Sequence, residues 1–343
     1  MTKIPSFRLA GVTVPAGGRA TVELPMARLY THNEMTLPVH IVHGRREGPV
    51  MFVNAAVHGD EINGVEIIRR LLGSRTLQHL RGTLLAVPIT NPFGFIQRSR
   101  YLPDRRDLNR SFPGTAKGSL AGRLAHLFMT EIASRCDFGI DLHTGSNFRC
   151  NLPQIRASLE DPATLALATA FGAPIVVPSE LRDGSLREAV AALGKPVLVY
   201  EGGEALYFSE PAIRSGLQGI IRVMRHTGML SPARQKMPRQ PIVTEHTRWI
   251  RAGMSGLFSR SVKLGDFVRQ GHQLGTLSEP LGDDREEVRA PSTGVIIGLM
   301  NIPLVHEGDA LIHLARVPAP NEAEETLDAF AAALTDEDFG LER

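Results

Sequence analysis

The stretch 49–73, PVMFVNAAVHGDEINGVEIIRRLLG, contains a change of period from which the rest of the chain can be placed. Pro49 to Val57 is apolar, rich in β-branched and small residues, and bounded by Gly48 and Gly59, which predicts a buried strand. From Ile62 the pattern turns helical. Ile62, Val65, Ile68, Leu71 and Leu72 share one face, Glu66 stands four positions before Arg70, and Gly73 closes the run. His58-Gly59-Asp60-Glu61 therefore fills a strand-to-helix turn at the carboxyl end of a strand, where open α/β sheets hold their ligands.

The same alternation extends from 49 to about 230. Further strands are predicted at 83–89, 137–142, 174–178 and 196–200. Between them lie helices from Ser119, from Asp161-Pro162 to Gly172, from Asp183 to Gly194 and from Pro211 to Gly228. This order predicts an α/β class with a mostly parallel or mixed central sheet flanked by helices. Residues 1–48 read as β-ribbon added to that unit, giving a first domain over 1–230. Ser231 to Pro241 is proline-rich, basic and aperiodic, as a linker would be. Segment 242–318 changes texture to short glycine-punctuated β runs. Its repeated Gly-Asp turn (Gly265-Asp266 and Gly308-Asp309) predicts a smaller all-β barrel or sandwich made of two related halves. The acidic end, 319–343, carries Leu327, Phe330, Ala331 and Leu334 at helical spacing and predicts a terminal helix.

Composition narrows the function classes. The 343 residues are 43% hydrophobic, enough for one large unit and a small one. A net charge of +2 without a long basic run gives no footprint for nucleic acid or an anionic membrane. No stretch approaches a membrane span, and the first residues lack the apolar core of a signal peptide. Two cysteines, Cys136 and Cys150, are too few for a disulfide framework, so a reduced, cytoplasmic compartment is expected.

The chemistry gathers at strand ends. His58 and Glu61 at this spacing can grip one zinc ion, given a third ligand, and taken alone such a pair is far more often a surface turn. A second strand ends in Asp141-Leu142-His143, so His143 could complete a His, Glu, His set, with Asp141 either holding the imidazole N–H or serving as a helix cap or solvent-facing carboxylate at the strand end. A third ends in Glu201-Gly202-Gly203. That carboxylate is either a loop group in solvent or, beside an activated water, a base that passes the proton on to a leaving amine. The segment 98–114, RSRYLPDRRDLNRSFPG, is long and arginine-rich. In it Asn109 and Arg110 offer an amide and a donor fork suited to a carboxylate, and Arg100 could steady an oxyanion. Arg105 and Arg106 read as solvated, and Trp249, the single tryptophan, as packing rather than a gate.

Taken together, His58-Gly59-Asp60-Glu61, Arg100-Tyr101, Asp107-Leu108-Asn109-Arg110, Asp141-Leu142-His143 and Glu201-Gly202 resemble the succinylglutamate desuccinylase/aspartoacylase family, which is related to the zinc carboxypeptidases. The resemblance runs in order from about 49 to 230. It implies a carboxypeptidase-like fold with one zinc per chain on His58, Glu61 and His143, and Glu201 as general base and acid. It further implies that Arg100 stabilises the oxyanion, that Asn109 and Arg110 hold a substrate carboxylate, and that the substrate is a small N-acyl amino acid or similar amine. Asp60 stands where characterised members usually have asparagine, and Thr144-Gly145-Ser146 also differs. These departures bear on the acyl group and amine rather than on the metal. A zinc carboxypeptidase acting on short peptides and a non-catalytic metal-binding member are the rival readings. Segment 242–318 resembles the barrel of biotinyl and lipoyl carriers but has no lysine after Lys263 to modify, so it is expected to wall the active site or form a homo-oligomer interface.

Overall fold

Apolar residues of small width run unbroken where a strand has neighbours on both edges and helices on both faces, and the predicted strand at 49–57 has that environment. In the computed structural model, which describes residues 4–146, 148–232, 239–244, 246–282, 284–317 and 320–335, it is β5 (Arg46–Ala55). β5 pairs in parallel with β6 (Arg81–Val87) on one side and β7 (Phe138–Gly145) on the other, and β7 pairs in parallel with β10 (Val197–Glu204). After a small hairpin of β1 (Phe7–Leu9) and β2 (Val12–Val14), the long ribbon of β3 (Arg19–Arg28) and β4 (Glu34–His43) adds to the β6 edge in antiparallel fashion.

Helices cover both faces. On one side α1 (Asn63–Gly73), α4 (Pro162–Phe171) and α6 (Glu210–His226) bury Ile67, Ile68, Leu71, Phe171, Leu217 and Ile220 against Val53, Ile140, Leu198 and Tyr200. On the other side α3 (Leu120–Glu131) and the short α5 (Leu186–Ala191) bury Leu124, Phe128, Leu186 and Val190 against Phe52, Leu85 and Val87. The short α2 (Pro92–Gln97) lies beyond the carboxyl end of β6. The helix punctuation in the sequence is used as expected. Asp161 caps the amides of Ala163 and Thr164, Pro162 opens α4, and Gly172 ends it at φ 72°. α5 is shorter than the expected 183–194, because Gly184 takes φ 74° and Ser185 caps the helix only from there.

The strand missing from the sequence reading is β8 (Arg149–Ala157), RCNLPQIRA. It runs antiparallel to β10, with a register irregularity between Glu201 and Gly203, and parallel to β9 (Ile175–Pro178). Through its first residues β8 also pairs with β17 (Gly294–Met300), and that ladder carries the sheet into the C-terminal segment. There β17 pairs with β14 (Phe267–Val268) and β19 (Ala310–Arg316), and β19 with β12 (His246–Arg251), while β11 (Ile242–Val243) joins β9. The result is one 13-stranded mixed sheet. A separate antiparallel sheet of β16 (Arg285–Arg289), β15 (Gln273–Ser278), β13 (Gly256–Arg260) and β18 (Leu304–Val305) packs on its end. Phe258, Leu274, Leu277 and Val288 meet Ile296, Leu299, Ile312 and Leu314 in the core of this sandwich.

The Gly-Asp turn that the sequence repeats in this segment takes the same form at both places. Gly265 and Gly308 both adopt φ 85°, and the following aspartates accept from the amides of Lys263 (2.9 Å) and His306 (2.8 Å) in matching turns. The terminal helix α7 (Pro320–Thr335) docks Ala323 and Leu327 against Ile175 and Val295. Most of the expected linker, 233–238, and the end of the acidic tail, 336–343, lie outside the described residues. Cys136 and Cys150 are free. Among the described residues no helix is long and apolar enough to cross a membrane.

Candidate active site

The parallel strands β5, β7 and β10 end on the same edge, so whatever follows each of them is brought to one place. After β5 the chain turns sharply. Ala56 takes φ 50°, a left-handed conformation that costs a non-glycine residue about 1 kcal/mol. Gly59 is required by close approach, since a Cβ there would sit 1.9 Å from the backbone carbon of Gly94 in α2. This packed turn, with α1 starting at Asn63 behind it, aims His58 and Glu61 inward.

Glu61 lies between two imidazoles. Its Oε1 is 2.7 Å from His58 Nδ1, its Oε2 2.7 Å from His143 Nδ1, and the Thr144 amide donates to Oε2 at 3.2 Å. Each imidazole has a second carboxylate on its other nitrogen. His143 Nε2 is 2.7 Å from Asp141 Oδ2, and His58 Nε2 is 3.1 Å from Asp107 Oδ1. Asn54 Nδ2 in turn donates to Asp141 Oδ1 at 2.7 Å. His58, Glu61, Asp141 and His143 are all buried.

The electrostatics follow from that packing. Burial alone would raise the Glu61 carboxyl, but the two imidazoles hold it well below the usual carboxylate range. Burial would lower both imidazoles, yet Glu61 with Asp107 raises His58, and Asp141 with Glu61 raises His143 well above its ordinary value. An imidazole flanked by two carboxylates donates to both only as the cation. A divalent metal ion is the other way to satisfy the inner faces, replacing the two Nδ1 protons. The donor set fits one, since a ligand atom from each of His58, Glu61 and His143 lies within 4.8 Å of the others, and the outer nitrogens are already held by carboxylates.

Arg100 closes one side. Its Nη2 and Nε donate to Asp107 Oδ2 at 2.8 and 3.1 Å, and its Nη1 reaches Glu61 Oε1 at 3.4 Å. Asp107 thus holds Arg100 and His58 together, and burial notwithstanding, these two cations keep its carboxyl below the usual range. Asp107 also accepts from the Asn109 amide at 2.8 Å. The Asn109 side-chain oxygen takes the Leu186 amide at the start of α5 (2.9 Å). Arg110 is exposed, with Nη1 donating to the Asn109 carbonyl at 2.5 Å.

Glu201 in β10 is the register partner of His143 in β7 and of Gln154 in β8, so its side chain leaves the sheet on the same face as theirs. Its Oε2 accepts from Asn151 Nδ2 at 2.7 Å, and Arg156 Nε stands 3.6 Å from Oε1. Arg187, buried on α5, donates to Ser179 Oγ (3.0 Å) and the Glu180 carbonyl (2.5 Å), and burial with Arg156 and Arg182 nearby lowers it to about 10. Asn63, the first residue of α1, spans to the turn after Glu201 by accepting from the Ser209 amide at 3.0 Å.

The structure therefore brings His58, Glu61, His143 and Arg100 into direct contact and sets Glu201 on the strand beside His143. It engages Asn109 with α5 and leaves the Arg110 guanidinium at the surface. Sequence reasoning did not single out Asn54, Asn63, Asn151, Arg187 or the role of Asp107. For Asn63 the signal was a polar residue on the inward face of an amphipathic helix, and for Asp107 its place in an Asp-Leu-Asn-Arg run. Trp249 is stacked on His313 at 4.5 Å between ring centroids, with Arg149 over its ring.

Comparison with known proteins matches residues 47–227 to the succinylglutamate desuccinylase/aspartoacylase catalytic domain. The chain is 28% identical over 295 residues to the N-α-acetyl-L-2,4-diaminobutyric acid deacetylase of Halomonas elongata, covering 82% of this chain and 86% of that one. Among solved structures it is similar to the product-bound ectoine utilization protein EutE (DoeB) of Ruegeria pomeroyi, at 25% identity and TM-score 0.79 over 92% of this chain and 100% of that one. It is also similar to a succinylglutamate desuccinylase/aspartoacylase of Rhodobacter sphaeroides, at 26% identity and TM-score 0.76 over 87% and 96%.

Proposed function

Because the chain belongs to the succinylglutamate desuccinylase/aspartoacylase family, we propose that it is a zinc-dependent deacylase that hydrolyses the amide bond of a small N-acyl amino acid. The relative from Halomonas elongata makes N-α-acetyl-L-2,4-diaminobutyrate the first substrate to try. The observation that supports the reading best is the buried His58, Glu61 and His143 set with Glu201 in register beside His143.

In this proposal His58 and His143 through Nδ1, with Glu61, hold one zinc ion. A zinc ion so held supplies Lewis acidity, which brings the pKa of water to about 7. Asp107 and Asp141 fix the two imidazoles by their Nε2 protons. Glu201 takes a proton from the attacking water as the water oxygen bonds to the acyl carbon, and returns it to the amine nitrogen as the C–N bond breaks. Arg100, anchored by Asp107, donates to the oxyanion formed in between. Asn109 and Arg110 hold the substrate carboxylate, for which the surface-facing Arg110 fork is free to turn from its neighbour's carbonyl.

The test is Glu201→Gln. It is expected to bind zinc at one ion per chain, by metal analysis, and to lose about 100- to 10,000-fold in kcat on N-acetyl amino acids. Wild-type turnover in that variant would remove Glu201 from the reaction, and a wild-type enzyme equally active after complete metal removal would remove the zinc.

A further inference from the structure

Glu201 owes its orientation to a residue two strands away from the nearest metal-ligand candidate. Among the described residues Glu201 Oε2 is held by the Asn151 amide at 2.7 Å, while Oε1 faces the Arg156 guanidinium at 3.6 Å, beyond hydrogen-bond distance. Asn151 is 6% exposed and lies in β8, which borders β10 on one side and β17 of the C-terminal segment on the other. Its register partners on both neighbouring strands are glycines, Gly203 in β10 and Gly298 in β17. Asn151 thus stands in a slot with no cross-strand side chain on either side, and the register irregularity in β10 between Glu201 and Gly203 sets the carboxylate within its reach.

The wall of that slot comes from the C-terminal segment. A Cβ on Gly298 would lie 3.2 Å from Asn151 Oδ1, 2.9 Å from His313 Cβ and 3.3 Å from the Trp249 ring. Trp249 and His313 are stacked at 8° between ring planes, so neither yields easily, and Arg149, two residues before Asn151 on the same strand, lies over Trp249. The amide therefore lies between the carboxylate that it serves and the bare face of Gly298, which the aromatic pair borders.

We infer that Asn151 is a positioning residue for Glu201, and that Gly298 and the Trp249–His313 stack hold it in place, so the C-terminal β segment is part of the catalytic geometry. This rests on the proposed role of Glu201. The Asn151 amide occupies Oε2 and leaves Oε1 as the oxygen that receives and returns the proton. An oriented carboxylate matters in the transition state more than in substrate binding, so its loss acts on kcat.

The experiment uses the full-length, zinc-loaded protein. Asn151→Ala is expected to lower kcat about ten- to a hundredfold with KM within about twofold, unchanged zinc content and unchanged Tm. Gly298→Ala, which crowds the amide without removing it, is expected to lower kcat in the same direction by less. In a Glu201→Gln background Asn151→Ala should cost nothing further, because the group that it orients no longer carries protons. Should Asn151→Ala lower Tm, Asn151→Asp keeps the volume and turns the donor into a repelling charge, and it must lower kcat at least as far. Unchanged kcat in Asn151→Asp, or a full independent loss in the Glu201→Gln background, would overturn the inference while leaving the deacylase reading intact. A fully active Glu201→Gln enzyme would overturn both.

Discussion

Asp141 offers a way to weigh the outer support of the candidate metal centre without touching a ligand. Its carboxylate is 1% exposed and has two partners, His143 Nε2 at 2.7 Å on Oδ2 and Asn54 Nδ2 at 2.7 Å on Oδ1. In Asp141→Ala both donors are left in a buried site, and nothing fixes the proton of His143 on Nε2. The imidazole can then place its proton on Nδ1, the nitrogen that faces Glu61, and lose the lone pair meant for the metal. Losing such a carboxylate behind a ligating histidine typically costs 10- to 100-fold in metal affinity, about 1.4–2.7 kcal/mol. Asp141→Asn should fall at the mild end, because among the described residues Asn54 Oδ1 has no partner and a flipped Asn54 amide can receive the new NH2 group. Zinc affinity measured by competition with a chromophoric chelator separates the two variants. Equal affinity in wild type and Asp141→Ala would refute the argument that this hydrogen bond sets the tautomer.

Two further predictions concern the scaffold. Phe52 is fully buried and meets Phe128 edge-on, with ring centroids 5.5 Å apart, so Phe52→Ala should cost about 3–5 kcal/mol in urea unfolding, and a loss below about 1 kcal/mol would show that the core collapses around the gap. Glu66 accepts from Arg69 and Arg70, and these bonds lower its carboxyl from 4.5 to about 2. A carboxyl depressed in the folded state stabilises above its unfolded pKa and loses that contribution as pH falls toward the folded one. Glu66→Gln should therefore lower Tm near neutral pH, with the gap to wild type closing between about pH 4.5 and 2, and a gap constant across that window would contradict the sign.

The legible parts of the sequence were those where one physical signal dominated. PVMFVNAAV, DFGIDL and PVLVY announce buried strands because a strand covered on both faces tolerates little else, and they place the residues that follow them at strand ends. Asp161-Pro162 and Gly172 announced α4 through backbone chemistry that does not depend on tertiary context. β8 defeated the same reasoning. Its inward residues include Asn151 and Gln154, which serve a polar interior, and Pro153 falls at the pairing irregularity opposite β10, where a missing N–H is tolerated. Without β8 nothing in the sequence joins 242–318 to the main sheet, and the segment reads as an independent unit on a linker. Arg100 was legible as a cation near the site, but its clamp by Asp107 depends on the folding of a loop with no periodicity.

That the ladder between β8 and β17 is continuous sets this molecule apart from the swinging carriers that its C-terminal segment resembles. A carrier barrel is useful because it travels, whereas this one is welded by main-chain hydrogen bonds to the strand next to Glu201. A chain cut short before β12 would expose the Arg149–Asn151 end of β8 as a raw edge, inviting a foreign strand to finish the ladder. The two parts thus share one fate. Whatever rigidity the small sandwich has is lent directly to the larger α/β unit through that ladder.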